Sequence, residues 1–214
     1  MEFETEEQQI EALKKWWKEN GKQVIFGAVI GFALIGGWRY YLGYSVQQKS
    51  EASALFEQVI KDDAGAKQQA DKKVIFDKIQ KDYAGTAYLS SAGLVLAKHY
   101  YDSGEKTKAI DVLDQTIATA KQDILITVAK ERKARILIDL KKADEALLLL
   151  SDTVDAAFQG IFEELKGDAY ALKDDIESAR KAYDKALILN SSGNKNLLQM
   201  KRDNLGESAK SSAA

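Results

Sequence analysis

Between Val24 and Trp38 the chain runs VIFGAVIGFALIGGW, fifteen residues without a charge. Arg39 interrupts, and Tyr40, Tyr41, Leu42, Gly43 and Tyr44 continue the apolar run. As a helix, Val24 to Tyr44 spans about 31 Å at 1.5 Å per residue. That length matches the roughly 30 Å hydrocarbon core of a bilayer. Arg39 lies within the last turns, where its head can reach the interface. Trp16 and Trp17 precede the span, and Trp38, Tyr40, Tyr41 and Tyr44 close it. Aromatic rings favour both interfaces, which suit an apolar body with a polar tip. A buried helix of a soluble protein is one competing reading, but nothing else in the chain is long or apolar enough to wrap it. A cleaved signal peptide is the other. It lacks a small-x-small cleavage site after the span. The sequence therefore predicts an uncleaved signal anchor. Residues 23–44 form the transmembrane helix, with Val24, Phe26, Gly27, Ile30, Gly31, Phe32, Leu34, Trp38 and Tyr41 as anchor residues.

Orientation follows from the basic flanks. Lys14, Lys15, Lys18 and Lys22 precede the span, whereas Arg39 and Lys49 follow it within a comparable distance. Basic residues are retained on the cytoplasmic side and acids count little. Residues 1–22 are expected in the cytoplasm, with everything after about residue 45 outside. Thr5-Glu6-Glu7-Gln8 fits a capping box. Ile10, Leu13 and Trp17 then give residues 1–22 the stripe of a short amphipathic helix lying on the membrane face. Asn20-Gly21 reads as its stop and as a hinge into the membrane. Gly27 and Gly31 form a GxxxG pair. It serves a helix–helix contact or reflects the general frequency of glycine in membrane helices.

From about Val46 the chain is rich in Ala, Leu, Lys, Glu and Gln, all good helix formers. It has no proline, although average usage of roughly 5% would give about ten. Helix stops must therefore be carried by Asp62-Asp63-Ala64-Gly65, Tyr83-Ala84-Gly85-Thr86, Asp102-Ser103-Gly104 and Asn190-Ser191-Ser192-Gly193. Strand-type alternation is absent, so this part is all-α. One pattern then recurs. Ala97 is followed by Tyr100, Gly104, Ala109, Leu113 and Thr116. Ala134 is followed at the same offsets by Leu137, Lys141, Ala146, Leu150 and Thr153. Gly167 is followed by Tyr170, Asp174, Ala179, Tyr183 and Ala186. Small residues on two successive helices let them pack closely, and a larger residue fills the space beside them. One such hairpin cannot bury its own face, so hairpins stack.

This spacing resembles the tetratricopeptide repeat. The closing proline is missing, and Lys141 stands where a turn glycine is expected. An unrelated helical bundle is the alternative. Residues 46–83 supply a degenerate first hairpin, with Ala52, Ala54, Leu55 and Val59 against Val74, Ile75 and Ile79. Residues 195–205 read as a final capping helix, and 206–214 as a disordered tail. The expected division is 1–22, 23–44, a tetratricopeptide-like domain over 45–205, and 206–214.

Chemistry is sparse. There is no cysteine and a single histidine, His99. That excludes thiolate catalysis, cysteine-ligated metal sites and any site needing two histidines. Phosphate loops, dinucleotide fingerprints and nucleophile elbows are absent. Paired acids such as Glu163-Glu164 point about 100° apart on a helix and do not converge. Charge is balanced at 31 basic and 33 acidic residues, unlike a nucleic-acid reader. No enzyme activity, cofactor, metal or nucleic-acid partner is expected. The first helix of each hairpin lines a concave face in such repeats. Lys98, Tyr101, Arg135, Ile138, Ile161 and Glu164 should form a partner groove there for an extended or helical protein segment.

The order of features is itself informative: an acidic start, EQQIEALKKWWKENGK, GAVIGFALIGGWRYY, helical hairpins, then LLQMKRDNL. It resembles the YfgM-type ancillary subunits of the bacterial SecYEG translocon, most strongly over Glu11 to Tyr41 and Gln199 to Leu205. The resemblance implies a single-pass inner-membrane protein with a periplasmic tetratricopeptide-like domain. It implies partnership with SecYEG and with a membrane-anchored periplasmic chaperone of the PpiD type. It also implies contact with membrane lipid and with unfolded exported polypeptides, and a role in their export and folding. The alternative is an anchored adaptor for another envelope assembly or cell-wall machine.

Overall fold

The computed structural model describes residues 6–61, 66–189 and 195–205. The expected capping box at Thr5, the stops at 62–65 and 190–193, and the tail at 206–214 lie outside the described residues. The described residues are all helix and turn, with no strand among them. The chain divides into two compact units at Ser50 and Glu51.

The first unit is helix α1, Glu6–Ile60, as far as Ser50. One correction applies here. The chain does not stop at Asn20-Gly21, and residues 6–22 are not a separate helix. The Asn20 side-chain amide donates to the Trp16 carbonyl at 3.0 Å. The Trp17 ring covers Gly21, 3.3 Å from where a Cβ would sit. Local contacts thus occupy both residues, and a glycine inside a helix weakens it without ending it. From Val24 to Val46 the large apolar side chains of α1 face outward, Phe26 at 69% and Phe32 at 76% exposed. Among the described residues α1 is the helix long and apolar enough to cross a membrane, with a mean hydropathy of 1.4 in its most apolar stretch.

Among the described residues the second unit holds the end of α1 and eight further helices. These are α2 (Ala66–Asp82), α3 (Ala87–Asp102), α4 (Lys106–Thr119) and α5 (Asp123–Asp139). They continue as α6 (Ala143–Leu149), α7 (Ala156–Leu172), α8 (Ile176–Leu189) and α9 (Lys195–Asp203). From α2 on, each helix packs against its successor, and α3, α5 and α7 also pack in a row. That is the topology of stacked helical hairpins. The predicted small residues lie at the hairpin interfaces. Ala109, Ala134, Ala146 and Ala179 are fully buried, and Ala97 nearly so. A Cβ on Gly167 would meet the Tyr183 ring at 2.4 Å, so α7 and α8 approach more closely than an alanine there permits.

The three turns share one geometry. Gly104, Lys141 and Asp174 all have positive φ, at 81°, 63° and 57°. After each, a backbone N–H reaches back five residues: Glu105 to Tyr100, Lys142 to Leu137, and Asp175 to Tyr170. These are Schellman closures. Lys141 therefore adopts the turn expected of a glycine.

Two expectations fail in detail. α6 has only 7 residues against 14 in α4 and α8. Thr153 consequently lies beyond the helix and is exposed. The run Ser151-Asp152-Thr153-Val154-Asp155 is poor in helix formers. The Ser151 hydroxyl turns back to the Leu148 carbonyl at 2.7 Å. Asp155 caps α7 by accepting from the Ala157 N–H at 2.9 Å. In the first hairpin, Ala52, Val59 and Ile79 are buried, but Ala54 and Val74 are exposed. Phe56 instead meets Tyr88 of α3, with ring centroids 5.8 Å apart.

Candidate partner-binding cleft

A cleft of about 410 Å³ opens between α3 and α5. Lys98, Tyr101 and Asp102 line it from α3, and Glu131, Arg132 and Arg135 from α5. Its floor is Ala97, Leu113 and Ile136, all buried. The cleft thus brings together three of the six residues named for the partner groove: Lys98, Tyr101 and Arg135. Ile138 and Ile161 do not line it. They are half-buried against a core of Ala134, Leu150, Phe162 and Leu165. Glu164 accepts a bond from Lys201 of α9 at 2.7 Å.

The offset has a simple cause. The lining residues of α3 are 97, 98, 101 and 102, whereas those of α5 are 131, 132, 135 and 136. Both sets fall on one helix face, at i, i+1, i+4 and i+5. Aligned on Ala97 and Ala134, however, the α5 face begins three residues earlier. Carrying the α3 register onto α5 therefore reached Ile138 and missed Arg132, Glu131 and Ile136. The signal was present, because Glu131 and Arg132 precede Arg135 by one turn.

Local pairs set the electrostatics. Lys98 is bonded to Asp102, and Arg135 through Nε to Glu131. Burial would lower the Arg135 pKa, but its bond to Glu131 and the charges of Glu131, Glu164 and Asp168 outweigh that and raise it. Arg132 Nη1 donates to the Leu94 carbonyl at 2.9 Å, tying α5 to α3. At the cleft's edge the Tyr101 hydroxyl donates to Asp139 at 3.1 Å, and Lys106 reaches Asp139 at 2.6 Å. The Lys106 bond, then the Tyr101 bond, holds Asp139 below the usual carboxylate range.

Beyond Arg135 the row of charges continues onto α9. Lys201 sits between Glu164 and both oxygens of Asp168, the latter at 2.9 Å. The Tyr183 hydroxyl also donates to Asp168, at 2.7 Å. Burial, and next that bond, pushes the Tyr183 pKa upward. Leu198 of α9 is buried with Ala179, Tyr183 and Ala186. α9 therefore covers the apolar end of the last hairpin.

The other named residues lie on α1. Val24, Phe26, Ile30, Phe32, Leu34, Trp38 and Tyr41 are exposed, and a Cβ on Gly27 or Gly31 would meet nothing within 4 Å. Lys14, Lys15, Lys18 and Lys22 are exposed on the turns before them. His99 is half-buried in α3, and its shielded Nε2 makes no hydrogen bond.

An outward-facing apolar helix joined to stacked hairpins with a shared turn defines a membrane-anchored protein of the tetratricopeptide type. A family model described as a tetratricopeptide repeat-like domain matches residues 14–207. Three proteins named ancillary SecYEG translocon subunit are similar along most of their length. The one from Escherichia coli is 30% identical over 85% of this chain and 87% of its own. Those from Aggregatibacter actinomycetemcomitans and Haemophilus influenzae are 32% and 30% identical, each over 94% of this chain and 97% of their own. The chain belongs to the family of ancillary SecYEG translocon subunits. No solved structure matches it.

Proposed function

We propose that this chain is a non-enzymatic, single-pass subunit attached to the SecYEG channel, which helps exported polypeptides pass to periplasmic folding factors. The observation that carries the reading is the likeness to named translocon subunits over 94% of the chain. The apolar face of α1 supports it. Val24 to Tyr44 crosses the inner membrane, with Lys14, Lys15, Lys18 and Lys22 held in the cytoplasm. Residues 45–205 then stand in the periplasm. Their cleft receives a segment of another protein, either a client chain or a PpiD-type chaperone.

Photo-crosslinkers placed at Phe26 and Tyr101 in native membranes test this. Phe26 is expected to capture a channel subunit or its lipid surroundings. Tyr101 is expected to capture a chaperone or an exported chain. Recovery of cell-wall or division enzymes from both positions overturns the assignment in favour of an adaptor for another envelope machine. Charge reversal at Lys98 and Arg135 together is expected to weaken the Tyr101 products while leaving helix content intact.

A further inference from the structure

The cleft between α3 and α5 is not electrically balanced. Lys98 has Asp102, and Arg135 has Glu131. Among the described residues Arg132 makes no ion pair, and its partner at 2.9 Å is the neutral carbonyl of Leu94. A guanidinium carries five N–H donors and no acceptor. Arg132 therefore brings an unneutralised positive charge to the cleft wall. Below it lie Ala97, Leu113 and Ile136, which are apolar and buried. The lining as a whole holds three cations and two carboxylates, although the chain's net charge is −2. The Lys98–Asp102 pair is exposed on both sides, and such a pair is weak. Lys98 can turn toward an incoming anion at small cost, whereas Arg135 stays with the shielded Glu131.

A fork of donors above an apolar floor suits a carboxylate carried on an apolar body. In an extended polypeptide, side chains two apart share one face. We propose that the cleft is a pocket for an extended segment of another protein bearing an acidic residue and, two positions away, a large apolar one. Arg132 takes the carboxylate, and the Ala97–Leu113–Ile136 floor seats the apolar side chain. This rests on the reading that the first-helix groove binds protein segments, and it names the sequence chemistry such segments carry.

The test uses the full chain in detergent micelles and a fluorescein-labelled peptide. The peptide is a Gly/Ser dodecamer, blocked at both ends, with one Glu-Ser-Leu insertion. Anisotropy is expected to show saturable binding. Changing the peptide's Glu to Gln, or its Leu to Ser, should weaken binding about tenfold. Arg132→Lys keeps the charge and loses the fork, so it should weaken the Glu peptide severalfold and leave the Gln peptide unchanged. Equal affinity for the Glu and Gln peptides overturns the proposal, as does failure of the Glu peptide to bind. Tighter binding of a peptide without Glu but with a free C-terminal Leu carboxylate also overturns it, because a chain end would then be the ligand. These comparisons alter the peptide, so they do not depend on a variant folding. Loss of the acid preference with crosslinks at Tyr101 intact would sink this inference alone. Loss of those crosslinks would remove the reading beneath it.

Discussion

Lys141 and Asp174 show how a turn outlasts the residue that suits it best. Both hold positive φ, as Gly104 does, and a side chain in that region costs about 1–2 kcal/mol. Lys141→Gly removes the strain but frees the unfolded chain by about 0.5–1 kcal/mol. The net expected gain is about 0.5–1 kcal/mol, read by urea unfolding. Gly104→Ala runs the other way and should lose about 0.5–1 kcal/mol, strain again offset by the stiffer unfolded chain. Effects of the same sign at the two sites would mean the turns differ in solution. Gly93 is constrained by packing instead. A Cβ there would lie 2.2 Å from the Thr116 hydroxyl, which is buried and bonded to the Val112 carbonyl at 2.8 Å. Gly93→Ala should cost about 1–3 kcal/mol, the range for overpacking. Adding Thr116→Ala removes the colliding oxygen and should recover most of that loss. Additive losses in the double variant would show that the clash is not the cause.

At the scale of helices, the α7–α8 contact is held by an ion cluster as well as by Gly167. Glu163 is buried and accepts from Lys166 at 2.8 Å and from Lys185 of α8 at 2.9 Å. Burial raises the Glu163 pKa, but the Lys166 and Lys185 bonds prevail and leave it below the ordinary 4.5. A carboxyl depressed in the folded state adds stability above its unfolded value, and this is lost as pH falls below it. Glu163→Gln should therefore flatten the fall in unfolding free energy from about pH 4.5 downward, and lower stability at pH 7. An unchanged acid limb in urea titrations would show that other carboxylates carry it. The same elements show what a single sequence discloses. The hairpin anchors were legible because close packing demands small residues at fixed spacing. The length of α6 was not, because Ser151 to Asp155 end it through local hydrogen bonds, without Gly or Asn. The Asn20-Gly21 stop misled because local contacts with Trp16 and Trp17 keep both residues inside the helix. The cleft was half legible. Its α3 side followed from the repeat, whereas its α5 side depends on a shift between hairpins that periodicity does not encode.

For the whole molecule the property to test is direction across the membrane, and composition supplies the means. With no cysteine in the chain, a single introduced thiol is an unambiguous reporter. Ala12 lies on an exposed turn of α1 before the apolar run, and Ile188, 84% exposed, lies on α8. Neither substitution removes a buried contact, and surface changes of this kind usually stay within about 0.5 kcal/mol. Lys14, Lys15, Lys18 and Lys22 outnumber Arg39 and Lys49 across the span, so the amino-terminal side should stay in the cytoplasm. Ile188→Cys is then expected to react with a membrane-impermeant maleimide in intact cells whose outer layer admits the reagent. Ala12→Cys should react only after lysis. The reverse pattern would place the hairpins and their cleft in the cytoplasm and remove them from any exported chain. Labelling of both positions in intact cells would mean that Val24 to Tyr44 does not span the bilayer. The lysines can be tested in the same assay. Replacing all four with Gln leaves Arg39 as the nearest basic residue to the span, so a fraction of molecules should invert and expose Ala12→Cys to the reagent.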